Sequence, residues 1–289
     1  MNLGIKVISG NLDGSPFAHL RASRYLLLEL RNRREQIKTA SELKLYGFVM
    51  ELYSYIVLCN TITPFGMNCN RTLVHDPFLQ SLDDLRDLGA FGAMFGGGHS
   101  LFELISSISL FATHKESHSS IGDNTDLERY GIYEELKRRI INWNPPATEP
   151  SGNEHDSMSG RNSTLELCRH ALLIFLETAV SPLSKYDSAR IYHIQFLLDV
   201  AMSYVPHIVP SKFSTITMWP LMIIGSCLVK EDQRRAMKNI LTHNHYMMRN
   251  TAQASNLLEL LWVDPDEYAI GPYGLGLLMK HYELDYGVI

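Results

Sequence analysis

Glu51, His99, Glu103 and His193 are the residues of this sequence whose types and surroundings suit proton chemistry. Glu51 interrupts an apolar stretch, with Tyr55 one helical turn later, so the two share a helical face and could bond each other or a ligand. Glu103 follows His99 at a four-residue interval, which again places both on one face. His193 comes directly after Tyr192 in an apolar segment, with Asp199 further along. Burial shifts the pKa of a carboxyl or imidazole by penalising its charged form, and such a group can serve as general acid or base near neutral pH. Burial without a partner also costs free energy, so a satisfied structural pair is the competing reading of each group.

Other familiar chemistries lack their residues. Gly92 to Ser100 is a glycine-rich run before an apolar helix, an arrangement that can cradle phosphate through backbone amides. No Gly-Lys-Ser/Thr follows it and no strand pattern precedes it, so close helix packing is the preferred use of these glycines. His243 and His245 form a tight histidine pair, yet helical metal sites want ligands three or four residues apart and a third ligand nearby. Cys59, Cys69, Cys168 and Cys227 are scattered, with no Cys-x-x-Cys pair, and read as small buried hydrophobes. No Gly-x-Ser-x-Gly elbow is present. The expectation is a protein with no metal and no cofactor.

The elements that position these residues read as helices throughout. Phe17 to Leu30 carries a broad apolar stripe including Leu20, Tyr25, Leu27 and Leu28, and ends in the solvated basic turn Arg31-Asn32-Arg33-Arg34. Leu43 to Asn60 is apolar nearly all round, the mark of a helix inside a bundle. Thr63-Pro64-Phe65-Gly66 ends it, because the residue before proline is pushed out of helical geometry. Asp126 to Asn142 is amphipathic, with a cap near Asn124-Thr125. Residues 145–163, rich in Pro, Ser and Gly, read as a flexible internal loop. Further helices are predicted over Thr164–Val180, Asp187–Tyr204, Ser214–Val229, Glu231–Leu241 and His245–Val263. With no alternating strand pattern, the expected fold is an all-α multi-helix array around a buried core or pocket, forming one domain over residues 1–289.

Composition narrows the function classes. A hydrophobic fraction of 45% and a charged fraction of 20% belong to a globular chain that can bury a large core. The net charge of -5 offers no general attraction to phosphate backbones, so direct nucleic-acid binding is not expected. The first ten residues lack a signal-peptide pattern, and the apolar run 218–229 is far shorter than the roughly 20 residues that span a bilayer. An intracellular protein of nucleus or cytoplasm, with no membrane partner, is the resulting expectation.

The segment 215–238 is the most distinctive. Trp219-Pro220 reads as the first turn of a buried helix, where proline's missing amide would be unpaired anyway, and Gly225 allows a second helix to come close. Trp219-Pro220-Leu221, Gly225, Cys227 and the charged run Lys230 to Arg235 resemble the Trp-Pro-Leu…Gly-Cys…Glu-Asp-Arg signature of the C-terminal regulatory domain of fungal zinc-cluster transcription factors. His19-Leu20-Arg21-Ala22, the aromatic helix Phe48–Leu58, Gly98–Leu110, Leu136–Pro146 and Leu257-Leu258-Glu259…Trp262 extend the likeness over approximately residues 17–263. Members of that family carry six closely spaced cysteines on two zinc ions, a pattern this sequence lacks, so a regulatory domain without a DNA reader is expected.

The resemblance implies a bundle around an apolar cavity lined by aromatics. Candidate lining residues from the most apolar helices are Tyr46, Met50, Tyr53 and Tyr55, then Phe95 and Phe102, then Tyr192, Phe196, Trp219 and Met222, each of which also reads as plain core. The leading expectation is a regulatory domain that binds a small apolar molecule or another regulator. The alternative is a cofactor-free enzyme of fungal secondary metabolism, a cyclase, isomerase or pericyclase, which holds one reactive conformer in the same cavity.

Overall fold

The computed structural model describes residues 16–64, 76–79, 82, 85, 88, 94–117, 124–145, 155–208, 211–242 and 249–283. Among these residues every regular element is a helix. In chain order they are α1 (Pro16–Asn32), α2 (Ala40–Cys59), α3 (His99–Phe102), α4 (Leu104–Ser117), α5 (Asn124–Ile141) and α6 (His155–Ala179). The chain continues through α7 (Ser188–Ile208), α8 (Met218–Ser226), α9 (Glu231–Thr242), α10 (Arg249–Val263) and α11 (Gly271–His281), with 3-10 turns at Arg34–Gln36, Pro77–Leu79 and Lys212–Ile216.

Local chemistry fixes several boundaries. The Thr39 side chain accepts from the Glu42 amide while the Glu42 carboxylate accepts from the Thr39 amide, a capping box that starts α2. At its other end the Asn60 and Thr61 side chains donate to the carbonyls of Ile56 and Val57, so α2 stops before Pro64. Pro220 lies in the first turn of α8, where its missing amide costs nothing. Helix α7 runs through Pro206 to Ile208, past the end expected at Tyr204.

Helix α6 is the hub, packed most extensively along α7 and also against α4, α5 and α8. Helix α8 is buried on every side by α6, α10 and α11. Gly225 explains how α10 comes so near: a Cβ there would sit 2.5 Å from Leu258 Cδ1. The Trp262 indole then donates to the Gly225 carbonyl at 2.9 Å. Helices α1 and α2 pack against each other.

The loop expected at 145–163 is corrected for its second half, because α6 begins at His155. Tertiary contacts override the weak local propensity of Ser159-Gly160-Arg161. Gly160 lies against Ser211 with no room for a Cβ, and buried Arg161 donates from Nε to the Gly96 carbonyl at 2.6 Å. Residues 146–154, together with the expected histidine pair His243 and His245 and with Cys69, lie outside the described residues.

Cys59, Cys168 and Cys227 are buried and free. Burial pushes the thiols of Cys59 and Cys168 well up and that of Cys227 up to about 12, so all three stay protonated and unreactive. A thiol-exchange reagent applied to the folded chain should leave these three unmodified. Modification of any of them at the rate of the denatured chain would contradict their burial.

Candidate functional site

An open cleft of about 300 Å³ lies where the end of α1 meets the middle of α2. Its floor comes from α2, through Tyr46, Met50 and Ser54, one face of a helix at intervals of four. Its wall is Phe78, Leu82, Leu85 and Leu88, from the connection that follows α2. Arg31, Asn32, Arg34 and Glu35 form the mouth. The volume sits at the lower end of the range of about 300–1,000 Å³ typical of small-molecule sites.

Three contacts hold the wall. Arg24 of α1 donates through Nε to both oxygens of buried Asp76, at 2.8 and 2.7 Å, fixing the start of the segment. The Glu103 carboxylate accepts from the Leu82 amide at 3.0 Å and from Arg139 of α5 at 3.1 Å. Gly47 lies against Leu88 so closely that a Cβ would meet the Leu88 carbonyl at 2.6 Å. The Arg31 guanidinium stands 5.6 Å above the Phe78 ring, a cation–π contact at the mouth. Behind the wall Tyr53 lies beside Phe78, with ring centres 6.0 Å apart. Burial pushes the Tyr53 hydroxyl far up from its usual range, so it is a neutral phenol.

Glu51 and His99, picked out separately in the sequence, meet across the bundle. Both are 1% exposed, and His99 Nε2 lies 3.4 Å from Glu51 Oε1, an ion-pair distance when the imidazole is protonated. The same oxygen accepts from the Met94 amide at 2.8 Å, which pins the turn 94–98 onto α2. Gly96 and Gly97 take positive φ values of 56° and 84°, so the glycine run serves a tight turn that other residues would strain. Tyr55 is not the partner of Glu51. It belongs to an aromatic cluster with Phe95 and Phe102, at centroid distances of 5.5 and 6.5 Å, and the Phe95 ring lies tilted against that of His99 at 4.8 Å.

Glu103 does not pair with His99 either: it sits between α3 and α4 and turns to Leu82 and Arg139. His193 lies on the surface of α7, 3.6 Å from Glu177 Oε1. That oxygen also accepts from the Tyr133 hydroxyl at 2.6 Å and from Lys137 at 3.2 Å. Burial, then the bond to Glu177, raises the Tyr133 hydroxyl to about 12, so it remains protonated. The four acid–base candidates therefore occupy three separate places, and none of them lines the cleft.

The lining candidates divide as well. Tyr46 and Met50 line the cleft; Tyr55, Phe95, Phe102, Trp219 and Met222 are packed core. Tyr192 and Phe196, expected on a buried face, are 81% and 66% exposed. The buried face of α7 is formed instead by Ile194, Gln195, Leu198, Ala201 and Val205. Apolar residues on both sides of α7 hide which face turns inward. Sequence reasoning missed Arg24, Asp76 and Arg161 as organising groups. Each is polar without a nearby sequence partner, and each is paired only by the fold.

The described residues form an all-α array around the buried helices α6 and α8, with a small cleft between α1 and α2. The fungal-specific transcription factor domain matches residues 2–271, and the chain belongs to that family. This membership supports a regulatory, transcription-factor-like role. Among known proteins, no curated sequence and no solved structure matches the chain. No helix among the described residues is long and apolar enough to cross a membrane.

Proposed function

We propose that the chain is a ligand-responsive regulatory module that takes a small, mainly apolar molecule in the cleft between α1 and α2. The observation that carries this reading is the cleft itself, whose floor and wall are mainly apolar apart from the hydroxyls of Tyr46 and Ser54, with its charged groups at the mouth. Small-molecule sites combine an apolar lining with a few placed polar groups in this way. The wall is also tied to the rest of the array: Leu82 hangs on Glu103, and Glu103 on Arg139 of α5. A molecule pressing on Leu82 would bear on that linkage, which is how occupancy could reach a partner-binding surface elsewhere.

The enzyme alternative draws less support. Glu51 and His99 are sealed in the core, Glu103 is engaged in holding the wall, and His193 is on the surface away from the cleft. A catalytic pair must reach a reacting atom at about hydrogen-bond distance, and none of these groups lines the cleft.

Titration of the full chain with Nile red, a neutral apolar dye that brightens on leaving water, tests the proposal. Saturable binding at one site is expected. Met50→Trp, which fills the floor, should abolish it, while melting shows that the variant still folds at an overpacking cost of about 1–3 kcal/mol. Saturable binding unaltered in folded Met50→Trp, or none in the native sequence, would count against the cleft.

A further inference from the structure

The rim of the cleft carries information about the ligand that the apolar floor does not, and a ligand class drawn from the rim rests on the reading of the cleft as a ligand site. The arginines around α1 are used differently. Arg24 is committed to Asp76, and Arg33 donates from Nε to Glu29 at 2.8 Å. Arg31 and Arg34, the two that line the mouth, have no carboxylate within ion-pair distance among the described residues. Arg31 is held over the opening by the Phe78 ring below it. Glu35 is the single acid among the described lining residues, which leaves the mouth with a net positive charge.

We infer that the cleft takes an amphipathic monocarboxylate, its apolar tail against Tyr46, Met50 and the Phe78–Leu88 wall and its carboxylate at Arg31 and Arg34. A planar guanidinium donates two parallel bonds to a carboxylate, and a charged partner makes such bonds about twice as strong as neutral ones. The floor supplies no charged group to a polar tail: its described hydroxyls are those of Tyr46 and Ser54, and Ser54 Oγ spends its proton on the Met50 carbonyl at 2.8 Å. Glu35 disfavours a second negative charge, so a single carboxylate matches the rim better than a dianion. An ammonium head would meet two like charges against one carboxylate and is disfavoured.

Displacement of Nile red from the full chain by octanoate, octan-1-ol and octylamine separates head group from tail, since the three share one chain length. Octanoate should displace the dye at a concentration about tenfold below octan-1-ol, the gain of a charge-assisted bond at a partly solvated site. Octylamine should be weaker than octan-1-ol, and added salt should narrow the octanoate advantage. Arg31→Gln combined with Arg34→Gln, both at exposed positions, should erase that advantage and leave octan-1-ol unchanged. Equal displacement by octanoate and octan-1-ol, or an advantage that survives the double substitution, would overturn the head-group assignment while leaving the cleft as a site. Failure of all three together with Nile red would overturn both readings.

Discussion

Replacing Trp219 with alanine is expected to remove about 3–5 kcal/mol of stability, the usual loss for a large buried aromatic. Against a total of about 5–15 kcal/mol for a folded domain, that is a large share. Trp219 is 1% exposed and stands edge-on to Phe175 of the central helix α6, with ring centroids 5.5 Å apart. Its indole also donates to the Thr61 carbonyl at 2.8 Å, just beyond the end of α2. One side chain thus joins α8, α6 and α2. Trp219→Phe should recover much of the apolar contact yet leave the Thr61 carbonyl without its donor, at a cost of about 1–3 kcal/mol. Urea unfolding measures both, and a midpoint for the alanine variant equal to that of the native chain would mean that this helix is not core.

Glu51→Leu should be the next most damaging change, on the order of 3 kcal/mol, and it should act on stability rather than on binding. It takes the acceptor away from the buried Met94 amide and the Glu51 oxygen away from His99 Nε2. An unsatisfied buried polar group costs about 1–3 kcal/mol, and two are affected. Glu51→Gln keeps an oxygen for the Met94 amide and should retain most of the stability. Combining Glu51→Leu with His99→Leu should cost less than the two single changes summed, because each single change already removes the contact the two side chains share. Strict additivity in chemical denaturation would show that the two side chains do not work as a pair. Nile red affinity should be unchanged in every folded member of this set, since neither residue lines the cleft.

The residues that announce the fold do so through local rules, and these were readable. Pro220 marks a first turn, and Gly225 gives the close approach to Leu258 that its place in an apolar helix suggests; the capping box of Thr39 and Glu42, ahead of the start read at Leu43, was not among those readings. The all-round apolar character of 43–60 marks a buried helix correctly for 50–60, whereas its first turns leave Leu45 63% and Phe48 38% exposed. Partnerships between elements were not readable. Spacing pairs Glu51 with Tyr55 and His99 with Glu103, because helical periodicity reports only neighbours on one element. In the fold Glu51 turns to His99 and Met94, while Glu103 reaches Leu82 and Arg139.

The candidate site was half legible for the same reason. Tyr46 and Met50 are on an evidently buried helix, and both line the cleft. Arg31 and Arg34 look like any solvated basic helix end, and only the fold sets them over Phe78 and the leucines of the wall. Arg161 lies in a segment whose Ser, Gly and Asn content argues for a loop, yet its guanidinium is buried against the glycine turn through the Gly96 carbonyl. Desolvation pulls its pKa downward, as burial of a cation must. Such a group is visible only once the surrounding helices are in place.

The central claim is that the α1–α2 cleft receives a small apolar molecule, and a crystal structure of the full chain grown with saturating Nile red tests it most directly. The dye is expected between Tyr46 and Met50 on one side and Phe78, Leu82 and Leu85 on the other, its polar end toward Arg31 and Arg34. A dye ordered at another position, with the cleft closed by the chain's own side chains, would contradict the claim.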